Sequence, residues 1–227
     1  MTKCCYWCGK DATSKEHAPP KCLFPQSKDT SDGVTRRNQL ITVPSCDTHN
    51  GEKSHDDEYL LWVLAMTILN NNVGIGLATS KVIRALQNNS RLCGEILNTQ
   101  MNVVAEDIQS GTVENTIAFQ LDNARIVSVL EHIARAIYFH HFGNIWKGSV
   151  TCFAEFQMAL DKEDAIQTNQ KYEKIRAIAD ELMTVTEKIG SNPDVLYYQL
   201  ENRLDDAGLM LLRLTFYEGA KAICKFQ

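Results

Sequence analysis

Cys4-Cys5-Tyr6-Trp7-Cys8-Gly9 opens the chain, and Cys46-Asp47-Thr48-His49-Asn50 follows about forty residues later. Two residues separate Cys5 from Cys8, the spacing at which one tight turn aims two thiolates at a single ion. Gly9 supplies the backbone freedom such a turn needs. Cys46 and His49 repeat the spacing with an imidazole as second ligand, so Cys5, Cys8, Cys46 and His49 form a Cys3His set suited to tetrahedral Zn2+ in a closed, structural site. Cys4 could replace Cys5 with the spacing widened by one, and Cys22 is a further substitute with no knuckle around it. A redox Cys-x-x-Cys motif would follow a strand at a helix start, and no strand precedes Cys5.

The 227 residues carry a net charge of -5, with 44% hydrophobic and 22% charged residues, ordinary for a globular protein with a buried core. Residues 1–55 hold eight Lys/Arg against six Asp/Glu, whereas the remainder holds fifteen against twenty-two. Any contact with a polyanion is therefore expected to be local and near the N-terminus. The start is polar and cysteine-rich, unlike a signal peptide, and the longest apolar run, 59–69, is too short to span a bilayer. The expected location is cytoplasmic, with no membrane association. Four of the eight cysteines crowd the first 22 residues, while Cys93, Cys152 and Cys224 sit singly in apolar surroundings. That distribution suits a metal site plus buried thiols better than a disulfide framework.

The expected fold class is α+β: a small zinc-bound module over 1–58, then a mainly helical body over 59–227 ending in a small antiparallel sheet. Leu40-Ile41-Thr42-Val43 reads as a short strand. Asp56-Asp57-Glu58 leads into a buried helix over Tyr59–Met66, with acidic residues at its positive end. Thr79 or Ser80 is expected to cap a helix running to Gln87. Helices are also expected over Arg125–Phe142 and over Asn169–Ile189, the latter ended by Gly190 and Pro193. Val195–Leu200, Leu209–Tyr217 and Ala220–Phe226 read as strands.

Between the half-sites lies Ser14-Lys15-Glu16-His17-Ala18-Pro19-Pro20, and Asn50 follows the second half-site directly. This arrangement resembles the HNH (ββα-metal) endonucleases stapled by zinc as a treble clef, over about residues 4–58. The resemblance implies a metal-dependent phosphodiesterase acting on nucleic acid, DNA before RNA. It makes His17 the general base, Glu16 and Asn50 oxygen ligands of a catalytic Mg2+ or Mn2+, and Asn38 the middle residue that orients the base, with Thr42 as its substitute. Glu16 stands where Asp is commoner and His49 where Cys is commoner. Arg36, Arg37 and Lys53 are the nearest candidates for gripping phosphate. The use of such modules also implies a bacterial defence or restriction effector served by an activating or sensor partner such as an ATPase, and compatible with an oligomer. His55-Asp56-Asp57-Glu58 could add a metal ligand, and His140-His141 could form a second site, though helix-opening acids and a packed aromatic helix end account for both. The rival readings are a zinc-stapled nucleic-acid- or protein-binding adaptor without hydrolytic activity, and a zinc redox sensor using Cys4, Cys5 and Cys22.

Overall fold

A computed structural model describes residues 4–51, 54–67, 69–87, 91–106, 110–160, 163–203 and 208–227. Strand β1 (Ser14–His17) pairs antiparallel with β2 (Thr42–Ser45), setting Glu16 opposite Val43 and His17 opposite Thr42, and the short helix α1 (Asp47–Gly51) follows at once. The second strand lies two residues beyond its expected start and includes Pro44. A proline costs no ladder bond on a ribbon edge, and here its carbonyl accepts from the Tyr6 amide at 2.9 Å.

Helix α2 (Ser54–Ala65) is buried on every side from Tyr59 to Ala65, as an uninterrupted apolar run requires. The next helix starts earlier than expected. Asn71, not Thr79 or Ser80, caps α3 (Asn72–Leu77) by accepting from the Val73 and Gly74 amides. The chain continues through a π-helical turn (Ala78–Val82) into α4 (Ile83–Gln87), so Thr79 lies inside the helical run and its hydroxyl donates back to Ile75 and Gly76 carbonyls. After α5 (Arg91–Leu97), an unanticipated hairpin of β3 (Gln100–Glu106) and β4 (Val113–Phe119) projects Val104, Val113 and Ile117 to solvent.

Helix α6 (Asn123–Phe142) matches its expectation. Asp122 caps it, and Gly143, at φ 66°, ends it in the left-handed conformation. Strand β5 (Val150–Ala154) precedes α7 (Ala165–Met183), which stops six residues short of the expected Ile189. Ile189 instead begins β6 (Ile189–Asn192). The Gln199 amide donates to Met183 and Thr186 carbonyls, satisfying the helix end from the sheet. The three expected C-terminal strands, β7 (Leu196–Arg203), β8 (Leu209–Phe216) and β9 (Ala220–Phe226), form with β5 and β6 a five-stranded antiparallel sheet, order β5-β9-β8-β7-β6.

The molecule is thus mixed helix and sheet, with a C-terminal antiparallel sheet. One core joins the sheet to α2 and α6 and also takes in Leu23 and Phe24 from the N-terminal segment. A smaller cluster of Cys5, Tyr6, Ala18, Val43 and Cys46 closes over Ala136 of α6. Long-range bonds reinforce this docking: Arg36 to Asp194 at 2.7 Å, Arg84 to Asp29 at 2.6 Å, and the Tyr217 hydroxyl to the Leu23 carbonyl at 2.7 Å. Among the described residues, no helix is long and apolar enough to cross a membrane.

Candidate metal cluster and adjoining cleft

The turn after Cys5 is a knuckle. Gly9 donates its amide to the Cys5 carbonyl at 3.0 Å, Cys5 donates to Lys10, and Gly9 adopts φ 74°, a conformation open to glycine and costly for other residues. The second half-site is the first turn of α1, where the Cys46 carbonyl accepts from His49 and Asn50 amides at 3.1 and 3.0 Å. The ribbon between them folds the half-sites together. The ligand atoms of Cys5, Cys8, Cys46 and His49 all lie within 4.8 Å of one another.

Their separations suit a metal. Cys8 and Cys46 sulfurs stand 3.8 Å apart, and His49 Nδ1 lies 3.2 Å from Cys46 Sγ and 3.8 Å from Cys5 Sγ. Bonds of about 2.3 Å to sulfur and 2.0 Å to nitrogen give tetrahedral edges of roughly 3.5–3.8 Å. The Cys3His cluster could therefore hold a metal such as zinc. Burial raises the Cys5 thiol, but backbone amides of Cys8, Trp7 and Cys46 outweigh it and leave the pKa lowered, favouring thiolate. Burial and the hydrogen bonds it shares with Cys5 and Cys46 push Cys8 up. The substitutes do not join the cluster. Cys4 is exposed, and Cys22 is pushed up to about 11 by burial and by Asp57, its sulfur bonded to the Asp57 carbonyl.

Helix α6 braces the cluster. Trp7 stacks on the His49 ring at 5.3 Å, Arg135 lies over the Trp7 ring at 4.5 Å, and His132 Nδ1 meets the Tyr6 hydroxyl at 2.8 Å. Burial, then the Glu16 charge and a hydrogen bond with Glu16, hold Tyr6 far above its usual pKa. A line of groups therefore runs from half-buried His132 through buried Tyr6 to Glu16, which is 4% exposed.

Beside the cluster opens a cleft of 620 Å³. His17, Glu16 and Asn50 all line it, from the last residues of β1 and the first turns of α1. Asn50 Nδ2 donates to Ser14 Oγ at 2.8 Å, which fixes α1 against β1. Partial burial, with the charges of Lys21 and Arg37, lowers the His17 pKa and favours the neutral imidazole. Lys15 and Lys21 line the cleft on this side, and Lys81 and Arg84 on the other.

Other expected site residues lie elsewhere. Asn38 is exposed and outside the cleft lining, its carbonyl accepting from Asn192 at 2.9 Å, whereas Thr42 is the residue paired with His17. Arg36 is held between Asp32 and Asp194. Arg37 donates to the Phe24 carbonyl while its charge reaches His17. Lys53 lies outside the described residues, as does the side chain of Cys93. Asp56 pairs with Arg125, Asp57 and Glu58 line the cleft, and His141 bonds to Tyr198 within an aromatic cluster. The sequence reading gave no role to Tyr6, Trp62, Lys81 and Arg84. In one dimension Lys81 and Arg84 resemble any solvated helix face, and Trp62 any core residue.

Compared with protein-family models, with curated proteins and with solved structures, the chain matches none of them.

Proposed function

We propose that the chain is a metal-dependent endonuclease of the HNH type, hydrolysing phosphodiester bonds in nucleic acid, DNA before RNA. The observation that carries this reading is the ribbon-and-helix unit β1-β2-α1, in which the Cys3His cluster holds Asn50 beside Glu16 and His17 on one cleft with four cations. In this reading the cluster binds structural Zn2+ and is closed by its four ligands, separate from the site of hydrolysis.

Glu16 and Asn50 offer a carboxylate and an amide oxygen, the donors that Mg2+ or Mn2+ prefers. A divalent ion bound there would polarise the phosphate and stabilise the leaving oxygen. Neutral His17 accepts a proton from water as the water oxygen bonds to phosphorus, the bond from phosphorus to the leaving ribose oxygen breaks, and that oxygen takes a proton from solvent. Lys15, Lys21, Lys81 and Arg84 neutralise the phosphate approaching the cleft. The body then supplies the cleft's second wall as well as any docking surface. An effector of bacterial defence or restriction, working with an activating or sensor protein such as an ATPase, is the setting in which this activity fits.

The test is His17→Ala in the zinc-loaded chain. Cleavage with Mg2+ or Mn2+ should fall by about 10²–10⁴ with zinc content unchanged, and cleavage at the parent rate would refute the assignment. A second reading, a zinc-stapled binding module without hydrolysis, is favoured by two observations: Glu16 is deeply buried and bonded with Tyr6, and the Asn50 amide is engaged by Ser14. Parent protein that binds nucleic acid but cleaves none of it under either metal selects that reading.

A further inference from the structure

Cys152 of β5 and Cys224 of β9 stand directly opposite each other in the C-terminal sheet. Their sulfurs lie 2.7 Å apart, against 3.8 Å between Cys8 and Cys46 in the metal cluster. The strand pairing puts them there. The Ser149 carbonyl accepts from the Gln227 amide, and the Lys221 carbonyl from the Glu155 amide, across the same ladder. Bonded and non-bonded pairs alternate in an antiparallel ladder, so Cys152 and Cys224 occupy a non-hydrogen-bonded pair. Opposed Cα atoms approach to about 4.5 Å at such pairs, inside the roughly 4.4–6.8 Å range that a disulfide spans. Among the described residues, no third His, Cys, Asp or Glu groups with the two as metal ligands.

The two thiols differ in access. Strand β5 lies at the sheet edge, paired with β9 alone, and Cys152 is 7% exposed while Cys224 is wholly buried. Local opening costs least at such margins of a fold, so a small oxidant meets Cys152 first. Burial, then the bond to Cys152, pushes the Cys224 thiol well above its usual pKa, which keeps it inert towards outside reagents. The electrophile within its reach is an oxidised Cys152.

We propose that Cys152 and Cys224 are a redox pair that a hydroperoxide converts to a cross-strand disulfide. The Cys152 sulfur attacks the O–O bond of hydrogen peroxide, becoming a sulfenic acid and releasing water. The Cys224 sulfur then bonds to that sulfur, the S–O bond breaks, and hydroxide leaves with the Cys224 proton as a second water. Two thiols are oxidised to one disulfide, and one peroxide is reduced to two waters. The bond closes a loop over residues 152–224, which contains α7 and β6 to β8, and fastens the outermost strand to its neighbour. Arg135 of α6 bonds the Trp146 and Gly148 carbonyls just ahead of β5, and the same side chain covers Trp7 beside the metal cluster. Oxidation thus stiffens the platform behind the cluster, whatever the cleft binds.

The experiment treats the full zinc-loaded chain with hydrogen peroxide under native conditions. Remaining thiols are then alkylated in denaturant and the peptides weighed. The peptides bearing Cys152 and Cys224 should appear joined, two hydrogens lighter than their sum, and dithiothreitol should separate them. The oxidised chain should also resist urea, its midpoint rising by about 1 M or more and falling back on reduction. Cys224→Ala should abolish both the joined peptide and the rise. Cys224→Val, which refills the buried space, repeats the test should alanine loosen the core. Cys152 and Cys224 both recovered alkylated, Cys152 recovered as sulfinic acid or joined to another cysteine, or a midpoint unmoved by the cross-link would each overturn the proposal.

Discussion

Replacing Cys46 by alanine removes one sulfur from the metal cluster and keeps the backbone carbonyl that starts α1. Its sulfur lies 3.2 Å from His49 Nδ1 and 3.8 Å from Cys8 Sγ, and its carbonyl anchors the amides of His49 and Asn50. The apparent binding energy of structural zinc is about 10–16 kcal/mol in small zinc modules. Shared over four ligands, that is roughly 2.5–4 kcal/mol each, so Cys46→Ala should weaken zinc binding by ~10²–10³-fold. Around the half-sites the metal works with only a small cluster, Cys5, Tyr6, Ala18, Val43, Cys46 and Ala136, two of them ligands, whereas the stretch between is docked on the body through Leu23, Phe24, Asp29 and Arg36. Chelator competition should give the affinity, and hydrogen exchange should show the knuckle, ribbon and α1, 5–17 and 42–51, losing protection while the C-terminal sheet keeps it. Cys4→Ala serves as control, because Cys4 lies outside the cluster. The reasoning fails if Cys46→Ala holds zinc as tightly as the parent, if Cys4→Ala weakens it equally, or if the zinc-free parent protects 5–17 and 42–51 as well as the loaded one.

Three further outcomes follow from the contacts. Tyr6→Phe strips a buried hydroxyl shared with His132 and Glu16; thermal or urea unfolding should show a loss of about 1–3 kcal/mol, and an unchanged midpoint would deny the network a structural role. Arg213 is 4% exposed and bonds both oxygens of buried Glu155 as well as Asp180. Glu155→Gln leaves its charge poorly compensated and should cost about 3–5 kcal/mol in equilibrium unfolding. Burial works to raise Asp29, but Arg84 and the Gln26 amide outweigh it and hold the carboxyl below the usual range. Its contribution is therefore complete above the unfolded value near about 4 and lost as pH falls through the lower folded value. Asp29→Asn should reduce stability at neutral pH and flatten the acid limb of a stability–pH curve; a limb of unchanged shape would remove Asp29 from the cause.

Several elements were legible because their signals are local. A Cys-x2-Cys turn followed by Gly9 and a Cys-x2-His turn opening a helix carry their geometry within four residues each, and their ligand atoms do meet. Helix α6 was legible from three- and four-residue spacing between a capping acid and Gly143. The end of α7 was not, since tertiary pairing with β7 takes Ile189 into the sheet against its helical spacing. The β3–β4 hairpin was missed although Met101, Val103 and Ala105 share one face of β3, because β4 carries polar residues on both faces and gives no clean alternation to pair with it. Asn71 was overlooked as a cap in favour of two hydroxyl residues that turn out to lie within the helical run.

By itself the sequence determined which side chains can bind a metal and where the strongest helices and strands begin, for those are matters of donor chemistry and short-range periodicity. It also placed His17, Glu16 and Asn50 near one another, because the two half-sites must close on a common centre. Only the tertiary structure decided that α2, α3 and the π-helical turn face His17 across a cleft, that Arg36 is bound to Asp194 and that Lys81 and Arg84 stand beside Trp62. These contacts join residues tens to more than a hundred positions apart. Packing of the whole core sets their separation, and no local pattern carries it.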